Sequence, residues 1–315
     1  MADYFPYQNN ILMDIAYRTD NGIYYHGSTA ELNQADFENL SDQKASLIFT
    51  SPPFPLKRKK KYGNLNGVDY LDWLVDVVNH LLQFLKDDGS LVIEVGNAWE
   101  PGIPEMSTLP IEALLAIKNK CNLHLCQSFV WYNAAKLPGP AEWVNVKRIR
   151  VKESFTHIWW LSKTPFPKAD NRKVLQEYSK SMKKLLKDQK YNAGQRPSEH
   201  VINETSFLKV HEGSIPSNVL ISSNTSSNTD YQIYCKANNI PLHPARMPKE
   251  IPEFFIRMLT DEGDMVLDPF GGSNTTGAVA ENLNRKWIST ELNIEYINGS
   301  KGRFSNLIHG TAVSN

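Results

Sequence analysis

The stretch VLDPFGGSNTTG, from Val266 to Gly277, decides the fold class of this 315-residue chain. An apolar run ends at Asp268, two adjacent glycines follow, and polar residues then open a predicted helix. This strand, turn and helix let a ligand approach the backbone closely at the glycines. The turn lacks the Gly-Lys-Ser/Thr of a phosphate-binding loop and the full G-x-G-x-x-G spacing of a dinucleotide fingerprint. We therefore expect a small nucleoside ligand without a diphosphate.

An acidic residue one strand later supports a nucleoside site. Glu291 lies 23 residues beyond Asp268, at the end of the next predicted strand. A carboxylate at that position can accept hydrogen bonds from both hydroxyls of a ribose. Taken alone, however, two glycines more often form a tight turn, and a carboxylate at a strand end is more often merely solvated. The glycine motif therefore needs a second motif before it indicates a function.

The second motif is TSPPF, Thr50 to Phe54, which follows the apolar run ASLIFT. Its two prolines fix the backbone and free the preceding carbonyls to accept hydrogen bonds. An exocyclic amine of a base is a poor nucleophile because its lone pair is delocalised, so a catalyst must hold its hydrogens with acceptors. The Ser51 hydroxyl and the Pro52 carbonyl suit that role, and Phe54 can stack on a base extruded from a duplex. Without the glycine motif, Ser-Pro-Pro-Phe reads as a rigid loop with an aromatic plug.

The hydrophobic periodicity around both motifs predicts an α/β fold, with a twisted, mostly parallel sheet and helices on both faces. The chain starts polar and turn-rich. Predicted strands cover residues 45–50, 91–95, 123–132, 154–161, 265–267 and 287–292, of which 123–132 and 154–161 form a hairpin. Predicted helices cover residues 70–85, 111–118, 248–260 and 275–283.

Residues 162–240 differ in composition from the rest of the chain. Lys, Ser and Asn dominate there, and apolar periodicity is weak. We interpret this stretch as a target-recognition region between a catalytic-loop half, residues 1–161, and a cofactor-binding half, residues 241–315. We expect a cleft between this region and the sheet, with both motifs lining it.

Basic residues are clustered although Lys+Arg and Asp+Glu both number 34. One cluster follows the TSPPF motif, a second reads KRIRVK at 147–152, and residues 168–196 carry nine basic residues against three acidic ones. A single charge run is usually a solvated surface, but three runs flanking one glycine-rich site favour contacts with nucleic-acid phosphates. The first cluster consists of Lys57, Arg58, Lys59, Lys60 and Lys61.

Together the two motifs resemble those of the amino-methylating DNA methyltransferases. In that family a Ser/Asp-Pro-Pro-Phe/Tyr catalytic loop accompanies an Asp-Pro-Phe-x-Gly-Ser cofactor loop. TSPPF at 50–54 and LDPFGGSNTTG at 267–277 match, and the catalytic motif comes first, as in the family's permuted beta class. HPARMP at 243–248 is similar to the segment upstream of the cofactor loop in cytosine-N4 members. The resemblance covers nearly the whole chain and implies a Rossmann-like, S-adenosylmethionine-dependent methyltransferase fold.

The resemblance also implies a role for each matching position. Ser51, Pro52, Pro53 and Phe54 would hold the target base, and the cluster from Lys57 to Lys61 would contact DNA phosphates. Asn274 stands where many relatives have glycine. Residues lining the S-adenosylmethionine pocket would be Asp268, Phe270, Gly271, Gly272, Ser273, Asn274 and Thr275, with Glu291 on the ribose.

The resemblance implies methyl transfer from S-adenosylmethionine to cytosine N4 in double-stranded DNA, because Ser-Pro-Pro-Phe/Tyr is typical of cytosine-N4 members. The host's DNA would thereby be protected from a cognate restriction endonuclease. An adenine-N6 methyltransferase and a non-catalytic DNA-binding protein of the same fold remain alternatives, and a nucleotide-dependent oxidoreductase is a distant third. Methylation at cytosine carbon-5 needs a cysteine nucleophile, usually after proline, and no cysteine here follows a proline.

Neither a metal nor a membrane is expected. Cys121, His124 and Cys126 are spaced like possible metal ligands, but the alternating run LHLCQSFVW at 123–131, which contains the last two, is more typical of a half-buried strand. No apolar run reaches membrane-spanning length, and the first residues lack the features of a secretory signal. We therefore predict a cytoplasmic protein.

Overall fold

The computed structural model describes residues 13–41, 43–53, 67–191, 194–195, 197–203, 207–223, 229–304 and 307–308. The strands are β1 (Asp14–Arg18), β2 (Gly22–His26), β3 (Ala45–Thr50), β4 (Leu85–Val95), β5 (His124–Tyr132), β6 (Phe155–Ser162), β7 (Gly194–Gln195), β8 (Val201–Ile202), β9 (Val219–Ile221), β10 (Met265–Asp268) and β11 (Lys286–Glu291). The α-helices are α1 (Gln34–Glu38), α2 (Gly67–Leu82), α3 (Leu109–Lys120), α4 (Lys180–Asp188), α5 (Asp230–Ala237), α6 (Glu250–Leu259), α7 (Thr275–Asn282) and α8 (Ile294–Ser300).

Nine of these strands form one sheet in the order β1-β2-β11-β10-β3-β4-β6-β5-β9. The five strands from β2 to β4 in this order run parallel to one another. The β6 strand is antiparallel to both β4 and β5, as the predicted hairpin requires, and β1 is antiparallel to β2 at one end. The predicted α/β fold with a mostly parallel sheet is confirmed.

Helices cover both faces of this sheet, which is why its central strands are apolar throughout. In β3, Ile48 belongs to a core cluster that includes Leu74 of α2, whereas the neighbouring Phe49 packs 5.7 Å from Phe255 of α6. Successive side chains of a strand point to opposite faces. A strand buried on both faces therefore reads as a continuous apolar run, as ASLIFT does.

The connections on the two sides of β3 and β10 run in opposite directions. The β3 strand leads through α2 to β4, and β10 leads through α7 to β11 on the other side. Where the connections from two neighbouring parallel strands leave in opposite directions, α/β proteins bind ligands beyond the carboxyl ends of those strands. Both sequence motifs directly follow these two strands, so the topology brings them to one place.

The junction between α2 and β4 differs most from the sequence prediction. The helix ends at Leu82 rather than at residue 85, and β4 begins at Leu85 rather than at residue 91. Leu85 is buried and pairs with Ala45, whereas Ser90 pairs with Leu47, so the polar residues 86–89 bulge out between these pairs. Their polarity is typical of a turn, but they belong to an irregular strand.

The chain divides into two compact units. The smaller unit is Asp170–Ser217 and contains α4 and the two-stranded β7-β8 sheet. The larger unit consists of the chain up to Ala169 and from Asn218 onwards. The recognition role of residues 162–240, and its boundaries with 1–161 and 241–315, stay predictions. Within the described ranges, no helix is both long and apolar enough to span a membrane.

Candidate active site

A buried carboxylate joins the two sequence motifs. Thr50, the last residue of β3, donates from Oγ1 to Asp268 Oδ1 at 3.1 Å. Thr276 Oγ1 donates to Asp268 Oδ2 at 2.6 Å, and the Phe270 backbone N–H donates to Oδ1. Only 6% of Asp268 is exposed, and burial raises the pKa of its carboxyl to about 6. Asp268 therefore fastens the glycine turn to the strand that carries the catalytic motif.

The glycine turn is held against β11 and β2. Gly272 has a φ of 51°, and a β-carbon on it would lie 3.0 Å from His243 Nε2, so both conformation and space favour glycine. Its N–H donates to Glu291 Oε2 at 3.0 Å, and its carbonyl accepts from the Tyr24 hydroxyl at 2.8 Å. The backbone of the turn is thus fixed from two strands.

Glu291, at the end of β11, can accept further hydrogen bonds. Its Oε2 accepts from the Gly272 N–H, and its Oε1 accepts from the Asn293 N–H at 2.8 Å. A carboxylate oxygen can accept a second hydrogen bond, so both oxygens can still accept from a hydroxyl. Burial raises the pKa of Glu291 to about 7. The predicted binding of both ribose hydroxyls by these two oxygens stays a prediction.

Asn274 faces the protein core. It has a φ of 53° and is fully buried. Its Nδ2 donates to the Tyr17 hydroxyl at 3.0 Å, and its Oδ1 accepts from Ser289 Oγ and from the Gly277 N–H at the start of α7. The left-handed conformation explains why glycine also suits this position, since Gly and Asn tolerate it best. Only its backbone is left to line a cofactor pocket, and that role stays a prediction.

We expect Asn274→Ala to lower the free energy of unfolding by about 2–4 kcal/mol, because buried partners lose their hydrogen bonds and alanine strains the left-handed backbone. Urea denaturation measures this loss. Asn274→Gly is the matched control: it removes the same hydrogen bonds without the strain and should recover about 1 kcal/mol. An alanine variant as stable as the unmodified protein would contradict the assigned hydrogen bonds.

Arg303 fixes the far side of the turn. Its Nε donates to the Ser273 carbonyl at 2.6 Å, and its Nη2 donates to Ser273 Oγ at 3.1 Å. The guanidinium also lies over the ring of Tyr231, 4.7 Å from the ring centroid. Thr275 Oγ1 lies 3.5 Å from Ser273 Oγ and is buried with it. The buried hydroxyls of Ser273 and Thr275 therefore stabilise the conformation of the turn.

Three of the predicted cofactor residues keep exposed surface. These are Phe270, Gly271 and Glu291. Phe270 packs 5.8 Å from Trp73, and Gly271 is bonded through its N–H to the Thr290 carbonyl. The other five, Asp268 and Gly272 to Thr275, are buried. The structure brings all eight together at the carboxyl ends of β10 and β11, and their contacts with a cofactor stay predictions.

Ser51 of the catalytic motif is exposed and has an acidic partner. Its Oγ donates to Glu94 Oε2 at 2.5 Å. Glu94 lies near the end of β4 and is almost fully buried, which raises the pKa of its carboxyl, while the Ser51 hydrogen bond and the charge of Lys136 act in the opposite sense. Because the hydroxyl proton points to Glu94, the Ser51 lone pairs remain for a substrate hydrogen. Pro52 is buried and Pro53 half-buried beside it.

Two predictions fall outside the described residues. Phe54, the aromatic residue of the catalytic motif, lies there, and so does the whole basic cluster from Lys57 to Lys61. Base stacking by the first and phosphate contacts by the second stay predictions.

Glu94 and Arg303 are site residues that sequence reasoning missed. Glu94 is the single charged residue in the run LVIEV, at the end of a strand next to the one that precedes Ser51. A charge in an otherwise buried strand was a signal that could have found it. Arg303 carries no local signal, because its partner Ser273 is 30 residues away. Cys121 and Cys235 are buried, and in the described part of the chain no cluster of His, Cys, Asp and Glu could hold a metal ion.

A glycine turn and a serine loop that meet at the switch point of an open α/β sheet define an α/β protein with a ligand site beyond the carboxyl ends of its parallel strands. The chain belongs to the DNA methylase family N6_N4_Mtase, whose model matches residues 45–302.

Individual relatives agree with this family. The chain is 47% identical to the type II methyltransferase M.PvuII of Proteus hauseri over 291 residues, which is 92% of this chain and 85% of the relative. The solved PvuII DNA methyltransferase, described as cytosine-N4-specific, has a TM-score of 0.72 and 38% identity, covering 96% of this chain and 92% of its own. An M1.HpyAVI–SAM complex, with a TM-score of 0.54 and 19% identity over 90% of this chain and 98% of its own, shows the shared fold alone.

Proposed function

We propose that this DNA methyltransferase transfers the methyl group of S-adenosylmethionine to the N4 amino group of cytosine in double-stranded DNA. The observation that carries the proposal is the Ser51 and Glu94 pair beside the glycine turn, linked to it through Thr50 and Asp268. Its Ser-Pro-Pro-Phe loop also resembles the catalytic loop that is typical of cytosine-N4 members of the family. The solved relative described as cytosine-N4-specific supports the same base.

The cofactor site would be built from the glycine turn after β10 and from Glu291 at the end of β11. Glu291 would accept hydrogen bonds from the ribose hydroxyls, and Phe270 and Gly271 offer the exposed surface beside it. When bound, S-adenosylmethionine supplies an electrophilic methyl group on a sulfonium. The backbone of the glycine turn is already held by hydrogen bonds to Tyr24 and Glu291, so it would bind the cofactor without changing its conformation.

Ser51 would act on the cytosine amino group as a hydrogen-bond acceptor. Its proton is donated to Glu94, so its lone pairs face outwards to an amino hydrogen. Together with the Pro52 carbonyl, Ser51 would hold both amino hydrogens and draw the nitrogen lone pair out of conjugation with the ring. The nitrogen gains positive charge as it attacks, and the carboxylate of Glu94 behind Ser51 stabilises that charge. The excess proton is lost to solvent.

Product analysis tests the proposed function. The purified protein is incubated with mixed-sequence duplex DNA and labelled S-adenosylmethionine, the DNA is digested, and labelled nucleosides are identified by mass. We expect N4-methylcytosine, and sequencing of the methylated DNA then maps the target. N6-methyladenine would contradict the proposed base, and tight DNA binding without any label would favour a non-catalytic protein.

The proposed biological role follows from the relatives. M.PvuII is a type II methyltransferase, so we propose that this chain protects host DNA from a cognate restriction endonuclease. Its proposed place is the cytoplasm, where that DNA lies. Digestion of genomic DNA from cells with and without the gene, using cell extract as the nuclease source, tests the protection.

A further inference from the structure

The loop of residues 133–154 joins β5 to β6 at the carboxyl edge of the sheet, and we name it the edge loop. It packs on the segment that follows Glu94 along the chain. The indole N–H of Trp99 donates to Glu153 at 2.8 Å, and Arg150 donates to the Pro104 carbonyl at 2.9 Å. Asn97 donates to the carbonyl of Phe155, the residue that directly follows the loop. The edge loop therefore lies on the same edge of the sheet as the Ser51 and Glu94 pair.

The edge loop has an internal scaffold. Trp143 is buried within it, and the Trp143 carbonyl accepts hydrogen bonds from the backbone N–H groups of Ile149 and Arg150. Its two limbs are joined where Lys136 pairs with Glu153 at 2.9 Å and where Lys152 donates to the Ala134 carbonyl. The backbone of the edge loop is therefore held in place by hydrogen bonds and an ion pair, and so are the positions from which its side chains extend.

The charges of the edge loop are only partly compensated. Lys136 pairs with Glu153, and Lys147 lies 3.5 Å from Glu142. Arg148, Arg150 and Lys152 have no carboxylate partner among the residues that the structure describes. Three uncompensated cations beside the candidate active site match the phosphates of a polyanion.

Apolar side chains are exposed on the same loop. Val151, between Arg150 and Lys152, is 87% exposed, and Leu137 on the other limb is 84% exposed. Val146 and Ile149 are exposed as well. Scattered apolar residues are normal on a surface, but several on one cationic loop indicate a binding surface. Apolar side chains flanked by cations fit DNA, where cations meet phosphates and apolar groups enter the base stack.

We propose that the edge loop grips duplex DNA beside the target base, with Arg148 on a phosphate and Val151 filling the space that the extruded cytosine leaves. This inference rests on the proposed function, since it assumes that DNA is the substrate. Extrusion costs the stacking and pairing of the target base, which an inserted apolar side chain partly offsets. Val151 is the most exposed apolar residue of the loop and stands between two cations, so it is the residue assigned to this space.

The phosphate contact is tested by salt-dependent DNA binding. Arg148→Asn removes the charge and keeps a residue that tolerates the φ of 54° at this position. We expect the slope of log affinity against log salt concentration to become shallower by about 0.9, which corresponds to one phosphate contact. Lys118→Asn, at an exposed position near the end of α3 that leads to the opposite edge of the sheet, is the control and should leave the slope unchanged. If Arg148→Asn leaves the salt slope as unchanged as Lys118→Asn does, the phosphate contact of Arg148 is refuted.

Base extrusion is tested with 2-aminopurine in place of the target cytosine and with thymine, its pairing partner, opposite it, in the sequence that the methylation assay maps. Val151→Ser should lose most of the fluorescence increase seen with the unmodified protein. A duplex with a mismatched, already unpaired target should restore it, because extrusion then costs less. Phe166→Ser is the matched control, since Phe166 is 86% exposed beyond the opposite end of β6. Equal losses in the two variants overturn the role of Val151.

Two readouts separate this inference from the proposed function. Each variant is also titrated with S-adenosylmethionine in a calorimeter, and unchanged affinity shows that the fold and cofactor site are intact. An unmodified protein that labels no cytosine refutes the proposed function. An unmodified protein that methylates cytosine, with edge-loop variants indistinguishable from it, refutes the edge-loop inference alone.

Discussion

We expect Ser51→Ala to methylate DNA about 100- to 1000-fold more slowly than the unmodified protein, because it removes an acceptor that holds the amino group in the transition state. Its affinity for S-adenosylmethionine should not change, since the Ser51 side chain bonds to Glu94 and not to the glycine turn after β10. Single-turnover kinetics with saturating DNA measure the effect on the methyl-transfer step. A variant that retains full turnover would contradict the assigned role of Ser51.

Glu94→Gln tests whether the buried carboxylate acts through Ser51. Glutamine keeps the volume of the side chain but removes the negative charge, so turnover should fall although folding is preserved. Combined with Ser51→Ala, it should cost little more than Ser51→Ala alone, because residues that act as a unit are not additive. Losses that multiply in the double variant would show that Glu94 acts independently.

The pH profile supplies a readout that a merely structural role would not change. Burial raises the pKa of Glu94, so its carboxyl is protonated at a higher pH than an exposed glutamate. Turnover of the unmodified protein should therefore fall as the pH is lowered through that range, while the profile of Glu94→Gln should be flat there. Glu262→Gln is the matched control, since Glu262 is exposed in the turn before β10, at the opposite edge of the sheet from Ser51.

Glu291→Gln should weaken S-adenosylmethionine binding by about 100-fold, or ~2.7 kcal/mol. The amide of glutamine places an NH2 group against the N–H of either Gly272 or Asn293, and the charge that attracts the ribose hydroxyls is lost. Isothermal titration calorimetry measures the affinity. Glu295→Gln, an exposed glutamate in the first turn of α8, is the matched control and should bind normally.

The affinity of the unmodified protein should also depend on pH. The pKa of Glu291 is raised to about 7, so the carboxylate that accepts ribose hydroxyls is fully ionised only above that pH. Affinity should therefore be highest above pH 7 and fall by up to about tenfold for each pH unit below it. The Glu291→Gln variant should lack this dependence. The same slope in both proteins would assign it to another group.

The parallel core and the two motifs were predictable because they are local. Strands buried on both faces read as apolar runs, and a glycine turn or a Pro-Pro pair fixes the backbone within a few residues. The strands β3, β10 and β11 were therefore placed within two residues of their ends. The start of the chain was harder to predict. It reads as polar and turn-rich, yet β1 and β2 lie there. Tyr24 of β2 is buried because Tyr17 of β1 packs on its ring, β11 pairs with its strand, and the glycine turn accepts its hydroxyl proton.

The sequence by itself determined the fold class, the nucleoside-type turn and the Ser51 loop, because each depends on residues adjacent along the chain. Only the tertiary structure decided which groups meet there. Glu94 reaches Ser51 across neighbouring strands, Thr50 reaches Asp268 over 218 positions, and Arg303 returns to the turn from the last described helical segment. The pairing of the strands sets the first two contacts, and the packing of the last helical segment sets the third, so all three depend on contacts between segments that are distant along the chain.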